Sequence, residues 1–205
     1  MAVTELAFLR LRSDSSSTTN EVLTEAQAAQ AAYSGYPVTL LRQIEDPSFL
    51  YLLGGWESVA KHNEWIASEI NQKFLEQLKD DVEVKWMFHY NVNANVDQPS
   101  GSSIPLNAPV IALTRCFVEP SRKTEFDRVL ATSAPALEKH TKPFSCGRGW
   151  KADKRADEDE EFILISGWSN VEDHFGFAKT ENFKEFGKIR ELLTGSEAKH
   201  MKVER

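Results

Sequence analysis

The chain has 205 residues, of which 41% are hydrophobic, 10% aromatic and 27% charged, and its formal net charge is −7. These proportions are typical of a folded globular protein and exclude disordered, collagen-like, coiled-coil and disulfide-scaffold classes. The acidic balance lacks the basic footprint that nucleic acids and anionic membranes require, so neither is an expected partner. With only two cysteines, no signal-peptide pattern and no apolar stretch of bilayer-spanning length, the sequence predicts a cytoplasmic protein.

The first half of the chain predicts the element order β-α-β-β-α-β. The capping-box spacing that starts at Thr18 predicts a helix that Gly35 can end. Ser58 is the predicted cap of a second helix, which is followed by a further helical turn at Phe74–Leu78. Period-two alternation and turn signals predict the strands, which are Leu6–Arg12, Tyr36–Arg42, Phe49–Trp56 and Val82–Tyr90.

The second half predicts the same order after a segment rich in Asn, Ser, Pro and Gly. We therefore expect a first domain over residues 1–92, a linker over 93–109 and a second domain over 110–205. Helices are predicted from about Ser121, after Asn170 and at Glu181, and Pro135 is expected to end or kink the first of them. The predicted strands are Val110–Phe117, Phe144–Trp150, Phe162–Trp168 and Ala198–Val203.

An internal repeat relates the two halves. At a fixed offset of 112 positions, seven identities fall in one ungapped stretch, among them Gly55 with Gly167 and His62 with His174. Duplication of a unit of about half the chain explains this match. The β-α-β-β-α-β order is the ferredoxin-like split motif, whose bare sheet face needs cover, and two copies in one chain can supply that cover to each other.

The most specific shared segments are GWESVAKHNEWIAS at Gly55–Ser68 and GWSNVEDHFGFAKT at Gly167–Thr180. They resemble the dimeric α/β-barrel proteins, and within them the antibiotic-biosynthesis-monooxygenase-like group. The implied fold class is α+β, with tandem ferredoxin-like repeats forming a pseudo-dimeric α/β barrel. The group includes cofactor-free monooxygenases of aromatic polyketides, polyketide cyclases, haem-degrading enzymes and small stress-induced proteins, so the fold transfers more readily than the function.

His62 and His174 are the candidate catalytic residues. Each lies on an apolar helix stripe that faces the sheet, where it is either a core histidine with a hydrogen-bond partner or a general acid or base. The candidate substrate-binding residues all carry an aromatic ring on a predicted helix or strand that could line a cavity; they are Trp65, Phe177, Tyr51, Trp56, Trp168 and His89. Packing is the alternative role for Trp56 and Trp168.

No bound cofactor and no metal are expected. Trp65 matches a pocket tryptophan of the haem-degrading branch, but the position of that branch's haem-ligand histidine holds Leu75 in one copy and Gly187 in the other. No spacing of His, Cys, Asp or Glu resembles a metal site, and no nucleotide-binding glycine motif occurs. Cys116 and Cys146 fall on strands that a third strand separates, so no disulfide is expected between them.

The sequence therefore predicts a cofactor-independent enzyme that acts on a small hydrophobic metabolite of the aromatic polyketide type. The reaction would be monooxygenation, or cyclisation or isomerisation by histidine-assisted proton transfer. The alternative is a non-catalytic protein that binds a small ligand or serves in a stress response. The expected assembly is a pseudo-dimer within the chain, with a further homodimer left open.

Overall fold

The computed structural model describes residues 2–12, 17–92, 103–155 and 158–204. The chain divides into two compact units, the first formed by Met1–Asn95 with Lys202–Arg205 and the second by Val96–Met201. Residues 93–102 of the predicted linker lie outside the described residues. In the described part of that linker, residues 103–109, the side chains of Ile104 and Ala108 are buried.

The first unit has the predicted element order. Its elements are β1 (Val3–Leu11), α1 (Ser17–Ser34), β2 (Val38–Gln43), β3 (Phe49–Trp56), α2 (Val59–Ile66), α3 (Glu69–Leu78) and β4 (Val82–Tyr90). The four strands form an antiparallel sheet in the order β4-β1-β3-β2. This is the split motif in which the first and third strands lie in the centre.

The second unit repeats this arrangement. Its elements are β5 (Val110–Val118), α4 (Lys123–Thr141), β6 (Cys146–Trp150), β7 (Glu160–Trp168), α5 (Val171–Phe177), α6 (Glu181–Phe186) and β8 (Leu193–Val203), with 3-10 turns at Pro120–Arg122 and Gly187–Leu192. The strand order is β8-β5-β7-β6, again antiparallel. The α+β class and the tandem ferredoxin-like repeats are therefore confirmed.

Most of the predicted local signals are present, whereas the predicted cap at Thr18 is not, because α1 already begins at Ser17. The side chain of Ser58 accepts a hydrogen bond from the backbone N–H of Lys61, and that of Asn170 accepts one from Asp173, so each caps its helix. Gly35 closes α1 with a φ of +74°, a conformation that favours glycine.

Pro135 does not end α4. The helix continues to Thr141, although proline removes one backbone donor from the helix interior. Phe126, Leu130 and Ala134 before the proline and Leu137 after it are all buried. Packing of this continuous apolar face outweighs the missing hydrogen bond.

Both cysteines are free and buried, as the predicted strand order implies. Cys116 lies on β5 and Cys146 on β6, and β7 pairs with both of these strands. Burial raises the pKa of the Cys116 thiol to about 12. Within the described ranges, no helix is both long enough and apolar enough to cross a membrane.

Candidate functional site

The cap at Ser58 fixes the start of α2 and so directs His62 and Trp65 toward the sheet. Both side chains are 2% exposed. The imidazole of His62 stacks on the indole of Trp56 at the end of β3, with ring centroids 4.4 Å apart and an interplanar angle of 16°. The histidine predicted to face the sheet is therefore held between a helix and a strand end.

A buried glutamate on β1 organises the polar groups around this histidine. The Oε2 atom of Glu5 accepts hydrogen bonds from Gln30 Nε2 at 2.7 Å and from Trp56 Nε1 at 2.8 Å. The Nε2 atom of His62 lies 3.4 Å from the same oxygen. Glu5 is 4% exposed, so this carboxylate depends on protein donors rather than on water.

The cluster extends from His62 to a second histidine on β4. His62 Nδ1 lies 2.6 Å from His89 Nε2, and His89 is also buried. When His62 keeps its proton on Nε2, toward Glu5, its Nδ1 accepts a hydrogen bond from His89. We call these five residues, Glu5, Gln30, Trp56, His62 and His89, the Glu5 cluster.

The environment of Glu5 tunes its acidity. Burial raises the pKa of the carboxyl group from 4.5 to about 7, while the hydrogen bonds from Trp56 and Gln30 and the charge on His89 act in the opposite direction. A carboxyl group with a pKa near neutrality can both accept and return a proton under physiological conditions. The Glu5 cluster therefore contains a group suited to general acid or base chemistry.

This cluster forms part of the wall of an apolar cavity of about 280 Å³, here called the first cavity. Glu5, Gln30, His62 and Asn71 are its polar lining residues, and Trp65 forms part of its apolar wall. Leu75 and Val84 also line it and are 43% and 55% exposed, which places them at its entrance. The arrangement joins an apolar chamber to a small number of convergent polar groups, as ligand sites do.

The predicted site residues of this unit take different places. His62 and Trp65 line the first cavity, whereas Trp56 and His89 belong to the Glu5 cluster without being lining residues. Tyr51 lies on the opposite face of the sheet, where its ring stacks on Phe8 with centroids 4.7 Å apart. Tyr51 therefore does not line the first cavity, because alternate residues of a strand face opposite sides, and its role in substrate binding stays a prediction.

The second unit repeats the histidine pair. His174 Nδ1 lies 2.7 Å from His200 Nε2. His174, Trp168 and Phe177 line a cavity of about 350 Å³, here called the second cavity, which lies in the corresponding position between helices and sheet. All three predicted site residues of this half are thus brought together.

At the position that corresponds to Glu5, the second unit has an alanine, Ala112. Glu5 lies opposite Gly54 in the β1–β3 register, and Ala112 lies opposite Ser166 in the β5–β7 register. Leu137 lines the second cavity as Gln30 lines the first. The indole Nε1 of Trp168 accordingly donates to the Ser166 hydroxyl, at 2.9 Å.

The second histidine pair is electrostatically different. Burial, and then the charge on His200, lower the pKa of His174 to about 4. This histidine is therefore neutral at physiological pH. In the described part of the chain, no group of three or more His, Cys, Asp or Glu side chains is placed to hold a metal ion.

Glu5 and Gln30 were not among the predicted site residues. A signal for Glu5 was present, because it shares one face of β1 with Val3, Ala7 and Leu9, which are all buried. An acid in the buried register of an apolar strand needs a specific partner. No comparable signal identified Gln30, whose neighbours in the Ala-rich helix α1 are ordinary helix formers.

Comparison with known proteins identifies the fold. No protein-family model and no curated protein matches the chain, but solved structures match over nearly its whole length. An anthrone oxidase-like protein has a TM-score of 0.67 at 15% identity, covering 100% of this chain and 92% of that one. The "putative monooxygenase" of Fusobacterium nucleatum has a TM-score of 0.66 at 10% identity, covering 100% and 93%.

A third similar structure is the chlorite dismutase of Candidatus Nitrospira defluvii in complex with imidazole. Its TM-score is 0.63 at 9% identity, covering 98% of this chain and 90% of that one. Identities this low establish the architecture and leave the activity to be argued from the site. The chain has the tandem ferredoxin-like fold of the dimeric α/β-barrel proteins.

Proposed function

We propose that the chain is a cofactor-independent enzyme that acts on a small hydrophobic metabolite of the aromatic polyketide type, with its active site in the first unit. The observation that carries this proposal is the convergence of Gln30, Trp56 and His62 on one oxygen of Glu5 at the wall of an apolar cavity. The fold is shared with a protein described as anthrone oxidase-like and with a "putative monooxygenase", which is consistent with this chemistry.

Glu5 and His62 supply the base. Both line the first cavity, where the Glu5 carboxylate removes the proton from a substrate C–H group next to a carbonyl and His62 Nε2 lies 3.4 Å from that carboxylate. Trp56 and Gln30 act as positioning residues, because their hydrogen bonds fix the orientation of the Glu5 carboxylate. A positioned base of this kind contributes a factor of roughly 10²–10⁴ to the rate.

Oxygenation then needs only molecular oxygen as co-reactant. The base removes a proton from a substrate methylene, and the resulting carbanion passes one electron to O₂, giving a substrate radical and superoxide. These combine to a peroxide anion, the base returns the proton, and loss of water leaves a ketone. For cyclisation or isomerisation the same base returns the proton to a different atom. In both cases the apolar walls exclude water from the carbanion.

Anthrone tests this proposal directly, since its oxidation consumes one O₂ and yields anthraquinone and water. We expect turnover by the purified protein, with a kcat/KM that increases as the pH rises through about 7, because Glu5 then loses its proton. Glu5→Gln and His62→Gln should each lower kcat by about 10²-fold or more. Anthraquinone formation is followed by absorbance and product mass.

The matched control is His174→Gln, which alters the corresponding histidine of the second unit. Its kcat should stay close to that of the parent, because the second cavity contains no carboxylate partner for this histidine among its described lining residues. Parent-like turnover by Glu5→Gln would contradict the role of the Glu5 cluster. Binding of anthrone without any product would contradict catalysis and favour a non-catalytic ligand-binding protein.

A further inference from the structure

The second cavity is apolar at its base and open at one side. Cys116, Leu137, Trp168 and Phe177 are buried lining residues. The exposed lining residues mark the entrance, and they are Phe175, Ala178, Arg190, Ser196 and Ala198. A ligand that enters this cavity therefore places an apolar part inside and keeps one end at the entrance.

One residue at this entrance, Arg190, carries a positive charge. Within the described part of the chain, the residues that line the second cavity include no carboxylate, and Arg190 is the only formally charged one when His174 is neutral. The guanidinium of Arg190 lies 5.9 Å from the centroid of the Phe183 ring, another lining residue. Arg190 forms no ion pair with any other described residue.

The first cavity has the opposite sign. Among the described residues that line it, the acid Glu5 is the only one that can carry a formal charge when His62 is neutral, and it is negative once the pH exceeds about 7. An apolar molecule with a carboxylate would therefore be repelled by the first cavity and attracted by the second, although the two cavities have corresponding positions in their units. The duplicated sites are thus electrostatically complementary to different ligands.

We propose that the second cavity binds an apolar molecule that carries an anionic group, with the anionic group held by Arg190 at the entrance and the apolar part packed against Trp168 and Phe177. A guanidinium is suited to this role because its planar donors match the geometry of a carboxylate. This site lies outside the active site proposed above and does not depend on catalysis there.

The test compares 2-naphthoate with its uncharged analogue 2-naphthamide by isothermal titration calorimetry on the full chain. We expect the carboxylate to bind about fivefold more tightly than the amide, the size of a partly solvent-exposed ion pair. Arg190→Gln should remove this difference, and so should high salt, which screens charges near the surface. Arg128→Gln is the matched control, because Arg128 is an exposed arginine of the same unit that does not line the cavity.

An occlusion variant locates the binding site. Ala198→Trp changes an exposed residue at the entrance, so it should fold normally and weaken the binding of both naphthalenes by tenfold or more. Equal affinity for the two compounds, an unchanged carboxylate affinity in Arg190→Gln, or unchanged binding in Ala198→Trp would each overturn the proposal. An absence of naphthoate binding to the parent protein would overturn it as well.

Discussion

Replacing Glu5 by glutamine should stabilise the protein at alkaline pH while removing its activity. The carboxyl pKa is raised from 4.5 to about 7 in the folded state, a difference of about 2.5 units that corresponds to roughly 3 kcal/mol at 1.36 kcal/mol per unit. As the pH rises from about 4.5 to about 7, the unfolded chain loses this proton while the folded chain retains it. The free energy of unfolding therefore falls across this window, and at higher pH the protein stays less stable by the full amount.

Glutamine at position 5 cannot ionise, so Glu5→Gln lacks this cost, and its amide oxygen can still accept the hydrogen bonds from Trp56 and Gln30. We expect the variant to exceed the parent in unfolding free energy by up to about 3 kcal/mol at pH 8 and to match it near pH 4.5. Urea unfolding at the two pH values, followed by tryptophan fluorescence, measures the difference from the transition midpoints.

Glu161→Gln provides a control of opposite sign. Glu161 is also buried, but it accepts a hydrogen bond from Arg115 Nε at 2.6 Å, so its neutralisation breaks a buried ion pair and should destabilise the protein. A Glu5→Gln variant that is less stable than the parent at pH 8, or whose difference from the parent does not change with pH, would refute the reasoning.

Three further changes test other parts of the two sites. His174→Gln should diminish the loss of unfolding free energy on acidification to pH 4 by up to about 3 kcal/mol. The pKa of His174 is lowered from 6.5 to about 4, so the parent protein loses stability as the pH falls through that window. Acid titration followed by circular dichroism measures the difference, and an unchanged midpoint would contradict it. Gly54→Ala should lower the free energy of unfolding by about 1–3 kcal/mol. The added Cβ would lie 2.7 Å from Gln30 Nε2 and would break the hydrogen bond from Gln30 to the buried carboxylate. Thermal unfolding measures the loss, with Gly176→Ala as the control because its Cβ would meet nothing within 4 Å. Trp65→Phe should keep the fold and raise the KM for anthrone several-fold, since it removes part of the cavity wall; an unchanged KM would argue against contact between Trp65 and the substrate.

The sequence was sufficient to predict the elements because their signals are local. Ser58 and Asn170 cap their helices through their own side chains, and Gly35 ends α1 through its own backbone conformation. The ferredoxin-like topology then followed from element order and the internal repeat. His62 was found because it lies on an apolar helix stripe with Val59 and Ile66, which spacing defines, whereas Trp65 was found through the resemblance to a known family.

The rest of the site could not be found this way because it joins distant segments. Glu5 preceded the predicted first strand, which began at Leu6, and the repeat offset of 112 does not apply there. In the structure Glu5 corresponds to Ala112, an offset of 107 (112 − 5), since the two halves differ in length between these strands. The sequence did not indicate on which side of the sheet Tyr51 lies, because both faces of β3 are apolar and the pattern does not show which face the helices cover.

The absence of a side chain at Gly54 constrains how the site could be moved to the other half of the chain. A Cβ there would approach Gln30 Nε2 and would lie 3.2 Å from Glu5 Oε2, and the second unit has Ser166, Leu137 and Ala112 at the three corresponding positions. Transplanting the acid therefore requires an order of steps. Ser166→Gly must make space, Leu137→Gln must then supply a donor, and only afterwards can Ala112→Glu bury a carboxylate that finds a partner. If Ala112→Glu were introduced first, the glutamate would lack the glutamine donor and would press against Ser166. Several ordered substitutions, rather than any single one, therefore distinguish the two halves at this site.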